Sequence, residues 1–76
     1  MITVDDIVGA FDDAEIRVSK ESLKEDVALT EQGLDSLDMA TLLHVVEKKW
    51  SVPIPMESAA RLSSLKDIRN FLNAKG

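Results

Sequence analysis

The sequence predicts an all-α fold, a small four-helix bundle of three longer helices and one short helix. Apolar residues recur with helical spacing in three segments, and no strand-like alternation competes with them. Side chains suited to helix capping precede these segments, and Pro53 and Pro55 break the chain after the second of them. Seventy-six residues, 45% of them hydrophobic, suffice for one core, so we expect a single domain over 1–76.

The first helix is predicted from Val4 to about Glu15. Thr3 and Asp6 have the spacing of a capping box, in which two side chains satisfy free amides at a helix start. The apolar residues of this segment fall on one stripe and are expected to face the core: Val4, Ile7, Val8 and Phe11.

The second helix, Ser36 to about Trp50, has the clearest pattern. Asp35 suits the N-cap, Asp38 complements the positive helix start, and Lys48 and Lys49 suit the last turn. Its predicted core stripe is about 100° wide and consists of Met39, Leu42, Leu43, Val46 and Trp50.

The remaining chain holds a short helix, a final helix and one long loop. We expect the short helix at Glu57–Arg61 and the final helix from Leu65 to about Ala74, the latter opened by a capping box of Ser64 and Asp67. Residues 17–34, between the first and second helices, are predicted to form a packed loop with a helical turn near 21–26. Apolar residues can hold that loop on the bundle: Val18, Leu23, Val27, Leu29 and Leu34.

Composition excludes several functions. The net charge of −5 and the pI near 4.6 argue against sequence-independent nucleic-acid binding. There is no cysteine, and His44 is the only histidine, so thiolate and multi-histidine metal sites are excluded. The apolar runs are too short to span a membrane and no secretory leader is recognisable, so we expect no membrane insertion and a cytoplasmic location.

Ser36 is the candidate functional residue. It lies in the segment 33–37, Gly-Leu-Asp-Ser-Leu, which places the Ser36 hydroxyl in the first turn of the second helix, directly after the loop. A phosphoester is tolerated at such a helix start. The simpler interpretation is a serine that only favours a helix start. Leu37 points away from the core stripe. The pattern slightly favours its packing under the loop over its serving as a contact for another protein.

Residues 31–38, EQGLDSLD, resemble the Asp-Ser-Leu signature of acyl carrier proteins, and the resemblance continues through the order of helices to the end of the chain. It implies that Ser36 is esterified by 4′-phosphopantetheine, donated from coenzyme A by a magnesium-dependent phosphopantetheinyl transferase. It also implies a non-catalytic carrier whose arm holds acyl groups as thioesters. The absence of cysteine is no objection, because the thiol belongs to the arm.

The implied partners are that transferase, an acyl- or aminoacyl-loading ligase or transferase, and synthase or acyltransferase enzymes. We expect the carrier to be a monomer. The family's partner-contact positions fall on Asp35, Leu37, Asp38, Ala40, Thr41 and His44.

The second helix departs from the family pattern in its charge. Typical fatty-acid carriers have a glutamate where this chain has Thr41 and further acids where it has Lys48 and Lys49, whereas residues 36–50 are formally neutral here. Because charge steers partners together, we expect a dedicated partner set in a specialised lipid, polyketide or related pathway. An aminoacyl or peptidyl carrier of the same fold is the alternative.

Three alternatives to a carrier concern catalysis, protein interaction and calcium binding. A Ser-His-Asp hydrolase fails because His44 lies about 12 Å along the helix axis from Ser36, beyond hydrogen-bond reach. A helical protein-interaction module, in which Ser36 is inert, stays open. Paired acids such as Asp5 and Asp6 lack the spacing of a calcium loop and are expected to form a solvated helix face.

Overall fold

A computed structural model of the chain describes residues 1–75, and within them the fold is all-helical, as predicted. The four helices are α1 (Val4–Asp13), α2 (Ser36–Trp50), α3 (Met56–Ala59) and α4 (Leu65–Lys75). Gly76, the last residue of the expected domain, lies outside the described residues. None of the helices in the described part of the chain has the length and hydrophobicity of a transmembrane span.

The core lies where α1 meets α2 and α4. The predicted stripes of α1 and α2 are confirmed in their central positions, while Val4, Val8, Met39 and Trp50 are half-buried at the edges of the core. Fully buried side chains come from α1, α2, α4 and the long loop: Ile7, Phe11, Leu29, Leu42, Val46, Leu65, Ile68 and Leu72. One apolar cluster therefore joins the three longer helices and the loop.

Helix α1 begins as predicted but ends two residues early. The capping box is present: the Thr3 amide donates to Asp6 at 2.9 Å, and this hydrogen bond holds the pKa of Asp6 below its usual value. At the other end Glu15 has φ +58°, and the amide of Ile16 donates back to the Phe11 carbonyl at 2.9 Å. A left-handed residue followed by this bond is a Schellman ending, normally made by glycine.

The long loop is packed, as predicted, but its helical turns differ from the expected one. A 3-10 turn at Lys20–Ser22 overlaps only the start of the predicted turn near 21–26, and a second, unpredicted 3-10 turn lies at Leu29–Gln32. The backbone between them bonds outward rather than along a helix, because the Glu25 carbonyl accepts from the Lys66 amide at 2.8 Å. A second bond, 2.7 Å from the Leu29 amide to the Ser63 carbonyl, fixes the loop to the segment that leads into α4.

Residues Val52–Pro55, which we call the strap, connect α2 to α3. Proline has no backbone N–H, so Val52 and Ile54 carry the only amide donors of the strap. Both donate to Glu47: Val52 to its carbonyl oxygen at 3.2 Å, and Ile54 to its Oε2 at 2.6 Å. A single residue of α2 therefore satisfies every amide of the strap.

Helix α3 begins one residue before the predicted start and ends at Ala59 rather than Arg61. Its N-cap is Pro55, which has no side-chain acceptor to offer the first amides. None of its residues is fully buried, although Leu62, just beyond it, is only 7% exposed. Within α3 only Ala59 packs against the core, and Leu62 anchors the chain there just after the helix.

Helix α4 is opened by the predicted capping box. The Ser64 hydroxyl accepts from the Asp67 amide at 3.1 Å, and the Asp67 carboxylate accepts from the amides of Ser63 and Ser64 and from the Ser63 hydroxyl. Burial alone raises the pKa of Asp67, but the hydrogen bonds from Ser63 and Ser64 together outweigh burial and leave that pKa below the ordinary 3.8.

Truncating the core stripe of α2 tests its placement. Val46→Ala or Leu43→Ala should each lower the free energy of unfolding by about 1–4 kcal/mol, because both side chains are buried and truncation leaves a cavity. Denaturant unfolding followed by circular dichroism measures the change. Lys48→Ala, on the exposed face of the same helix, is the control and should shift stability by less than about 0.5 kcal/mol. Equal stability of all variants would contradict the assignment.

The α4 cap predicts a specific pH dependence. A carboxylate whose pKa is lower in the folded state than in the unfolded state stabilises the fold above its unfolded pKa, and this stabilisation is lost as pH falls. Asp67→Asn should therefore melt below the wild type near neutral pH, and the difference should narrow as pH falls from about 5 to about 2. Asp26→Asn, at an exposed loop position, is the matched control. A constant difference in Tm across that range would exclude this role of Asp67.

Candidate functional site

Ser36 is exposed to solvent as the first residue of α2, as predicted. The capping box that precedes it is made by its neighbours: Asp35 Oδ1 accepts from the Asp38 amide at 2.8 Å, and Asp38 Oδ2 accepts from the Asp35 amide at 3.3 Å. Serine hydroxyls are frequent cap acceptors, but here two carboxylates perform that task. The Ser36 hydroxyl is therefore not required to hold the helix.

The chain enters α2 through a turn that depends on glycine. Gly33 has φ +110°, in the left-handed region that side chains disfavour, and a Cβ built there would meet no atom within 4 Å. Backbone conformation rather than space is therefore what requires glycine. The amides of Gly33 and Leu34 both donate to the Leu29 carbonyl, and Leu34 is buried. This geometry fixes the direction in which Asp35 and Ser36 leave the bundle.

The outward face of α2 contains the predicted partner-contact residues, and one expectation about them was wrong. Leu37 is 73% exposed and does not pack beneath the loop. The loop lies instead against the start of α4, where Leu29 and Glu25 make their backbone bonds. The other predicted contacts accompany Leu37 on the surface, Asp38 being half-buried and the rest exposed: Asp35, Ala40, Thr41 and His44.

The acids of α2 are occupied by internal hydrogen bonds. Asp38 serves the N-terminal cap and Glu47 accepts from the strap. Lys49 forms a 3.0 Å ion pair with Asp13 at the end of α1, while Lys48 is exposed. Along the outward face of α2 the acids are therefore confined to the first turn, at Asp35 and Asp38, and Lys48 makes the C-terminal end cationic.

A cavity of about 310 Å³ opens between α2 and α3. Met56, 89% exposed, lies at its edge. Sequence reasoning missed this cavity, because residues from two helices and the strap line it and no single segment contains its pattern. The lining is mostly apolar and consists of Ala40, Leu43, His44, Glu47, Ile54, Met56 and Ala59.

Comparison with known proteins places this helical scaffold among covalently loaded carriers. The family model described as "Phosphopantetheine attachment site" matches residues 14–72. The acyl carrier protein of Chloroherpeton thalassium is 35% identical over 97% of this chain and 98% of its own length. The acyl carrier protein of Campylobacter curvus is 32% identical over 91% of this chain and 99% of its own length. The chain therefore belongs to the acyl carrier protein family.

Membership in that family identifies the cofactor as 4′-phosphopantetheine and gives the protein a phosphopantetheine-carrier role. The prosthetic group supplies a thiol, which a chain without cysteine cannot provide itself. Both predictions, the family and the cofactor, are confirmed by these comparisons.

Proposed function

We propose that Ser36 is the attachment site of 4′-phosphopantetheine and that the protein holds acyl intermediates as thioesters on that arm while partner enzymes act on them. The observation that carries this proposal is the exposed Ser36 hydroxyl at the start of α2, which the Asp35–Asp38 cap leaves available for esterification. The enclosing motif, Gly33 to Asp38, lies within the region that matches the phosphopantetheine family.

The start of α2 suits a phosphodiester on Ser36. Free amides at a helix N-terminus and the helix dipole favour phosphate oxygens. The cap occupies the amides of Asp35 and Asp38, which leaves those of Ser36 and Leu37 in the first turn to face a phosphate. The two cap carboxylates oppose the added charge in part. Solvent around Asp35, which is exposed, and around the half-buried Asp38 reduces that repulsion.

The carrier role requires partners rather than catalysis by this chain. We infer that residues 1–76 act as one non-catalytic, cytoplasmic carrier domain, and that it is served by a phosphopantetheinyl transferase, a loading ligase or transferase, and synthase or acyltransferase enzymes. A flexible tether supports this role because it raises the effective concentration of the bound group at each partner's active site. The proposed contact surface is the outward face that begins at Asp35 and continues to His44.

The pathway is inferred from the charge of that face. Partners that recognise acidic carriers by complementary basic patches lose steering when the acids are absent. Along the exposed stripe of α2, Thr41 and Lys48 occupy outward positions, while Asp38 and Glu47 are tied into hydrogen bonds. This pattern favours a dedicated partner set in a specialised lipid, polyketide or related pathway over general fatty-acid synthesis. An aminoacyl cargo is compatible with the same surface.

Loading of Ser36 is the direct test. Incubation of the apo-protein with coenzyme A and a broad-range phosphopantetheinyl transferase should add one phosphopantetheine to the intact mass. Ser36→Ala should abolish this addition, because Ser36 carries the one hydroxyl group of the motif at residues 33–38. Ser51→Ala, at the opposite end of α2, is the control and should load like the wild type. A wild type that stays unmodified would refute the attachment proposal.

Introducing glutamates on the outward face of α2 tests whether the charge of that face selects the partner enzymes. We expect a ketosynthase or malonyl transferase of general fatty-acid synthesis to use the loaded wild type poorly, and Thr41→Glu with Lys48→Glu to raise kcat/KM by about tenfold at low salt. Lys66→Glu with Ala74→Glu makes the same change in net charge on α4. An equal gain from both pairs, or none from either, would remove the local charge explanation.

A further inference from the structure

The Gln32 side chain makes three hydrogen bonds that tie two parts of the long loop together. Its Oε1 accepts from the Lys24 amide at 2.7 Å. Its Nε2 donates to the Lys24 carbonyl at 3.0 Å and to the Val27 carbonyl at 2.9 Å. The carboxamide thus uses its acceptor and both donors on backbone groups, which an aliphatic side chain of the same size cannot do.

The partner segment of Gln32, residues 24–27, is itself fixed to the bundle. The Glu25 carbonyl accepts from the Lys66 amide at 2.8 Å, and the Glu25 carboxylate lies 3.5 Å from Arg69. Both contacts are on α4, whose Leu65, Ile68 and Leu72 are buried in the core. Gln32 therefore joins its own 3-10 turn to a segment that α4 holds in place, rather than to a free loop.

Only three residues separate Gln32 from Ser36, and hydrogen bonds or burial restrict the conformation of each of them. Gly33 and Leu34 are both bonded to the Leu29 carbonyl, Leu34 is buried, and Asp35 is the N-cap of α2. A rotation of the 3-10 turn would therefore be passed on to the start of α2. The turn is fixed at its first residue by the bond from Leu29 to Ser63 and at its last residue by Gln32.

We propose that Gln32 is a positioning residue for the loading of Ser36, an inference that rests on the proposed attachment site. By joining the end of the 3-10 turn to residues 24–27, its carboxamide fixes the direction from which the chain enters α2, and with it the presentation of Asp35 and Ser36 to the transferase. Without the three bonds, a smaller fraction of molecules presents the start of α2 in the geometry that the transferase binds.

The test compares Gln32→Leu and Gln32→Glu with a matched control, Asn73→Leu. Gln32→Leu removes all three bonds, and Gln32→Glu keeps an acceptor but loses both donors. Asn73 is a second half-buried carboxamide that bridges backbone groups, since it accepts from the Ile2 amide at 2.9 Å and donates to the Ile2 carbonyl at 3.0 Å. It ties the N-terminal residues to α4 and does not belong to the turn that leads into Ser36.

Kinetics of transfer from coenzyme A by a broad-range transferase provide the first readout. Both Gln32 variants should raise KM for the carrier about fivefold or more, with kcat changed by less than about twofold. The reason is that the substitutions lower only the fraction of carrier molecules that the transferase can bind. Asn73→Leu should leave KM within about twofold of the wild type even where its melting temperature drops equally. A similar rise in all three variants, or an unchanged KM in the Gln32 variants, would overturn the inference.

Hydrogen exchange of the unmodified proteins provides a second readout that does not depend on loading. In Gln32→Leu the amides of Leu34 and Asp35 should exchange faster together with that of Lys24, whereas in Asn73→Leu they should keep wild-type rates. Faster exchange confined to Lys24 would show that the three Gln32 hydrogen bonds order the loop without positioning α2, and would overturn the inference. A wild type that cannot be loaded would refute the attachment proposal, while these exchange rates would still decide whether Gln32 controls the start of α2.

Discussion

The N-terminal cap of α2 is made by two carboxylates that lie on either side of Ser36 in the sequence. Because Asp35 and Asp38 satisfy each other's amides, Ser36 can occupy the first helical position without contributing its hydroxyl to the helix. A serine that served as the N-cap would instead lose a structural hydrogen bond on esterification, at a cost of about 1 kcal/mol. Because the cap does not use the Ser36 hydroxyl, modification of that side chain would leave the hydrogen bonds of the α2 cap in place.

The position of the α2 start also depends on contacts far away in the sequence. The segment leading into α4 accepts a backbone bond from Leu29, and α4 itself donates one to Glu25. Both bonds tie the long loop to α4 and to the segment before it, and the second 3-10 turn of the loop also contacts α2. The loop does not cover Leu37, which stays exposed although it is a large apolar residue.

Much of this molecule follows from local pattern, and the rest does not for identifiable reasons. Apolar spacing and capping side chains lie within one helix, so α2 and its cap were predictable to the residue, as was the exposure of Ser36. The early end of α1 was not, because Glu15 adopts a positive φ that sequence rules assign to glycine. The Gln32 bonds were also missed, since they join residues up to eight positions apart in a loop that has no period. Attachment at Ser36 itself is still a prediction.

The strap and α3 determine where the molecule is expected to open locally. Four residues of helix with no fully buried side chain gain little from the core, and Glu47 alone receives both amides of the strap. Local opening free energies follow buried contacts and protected backbone bonds. The wall of the cavity formed by α3 is therefore expected to open locally at a lower free energy than α1, α2 and α4, whose buried side chains share one core.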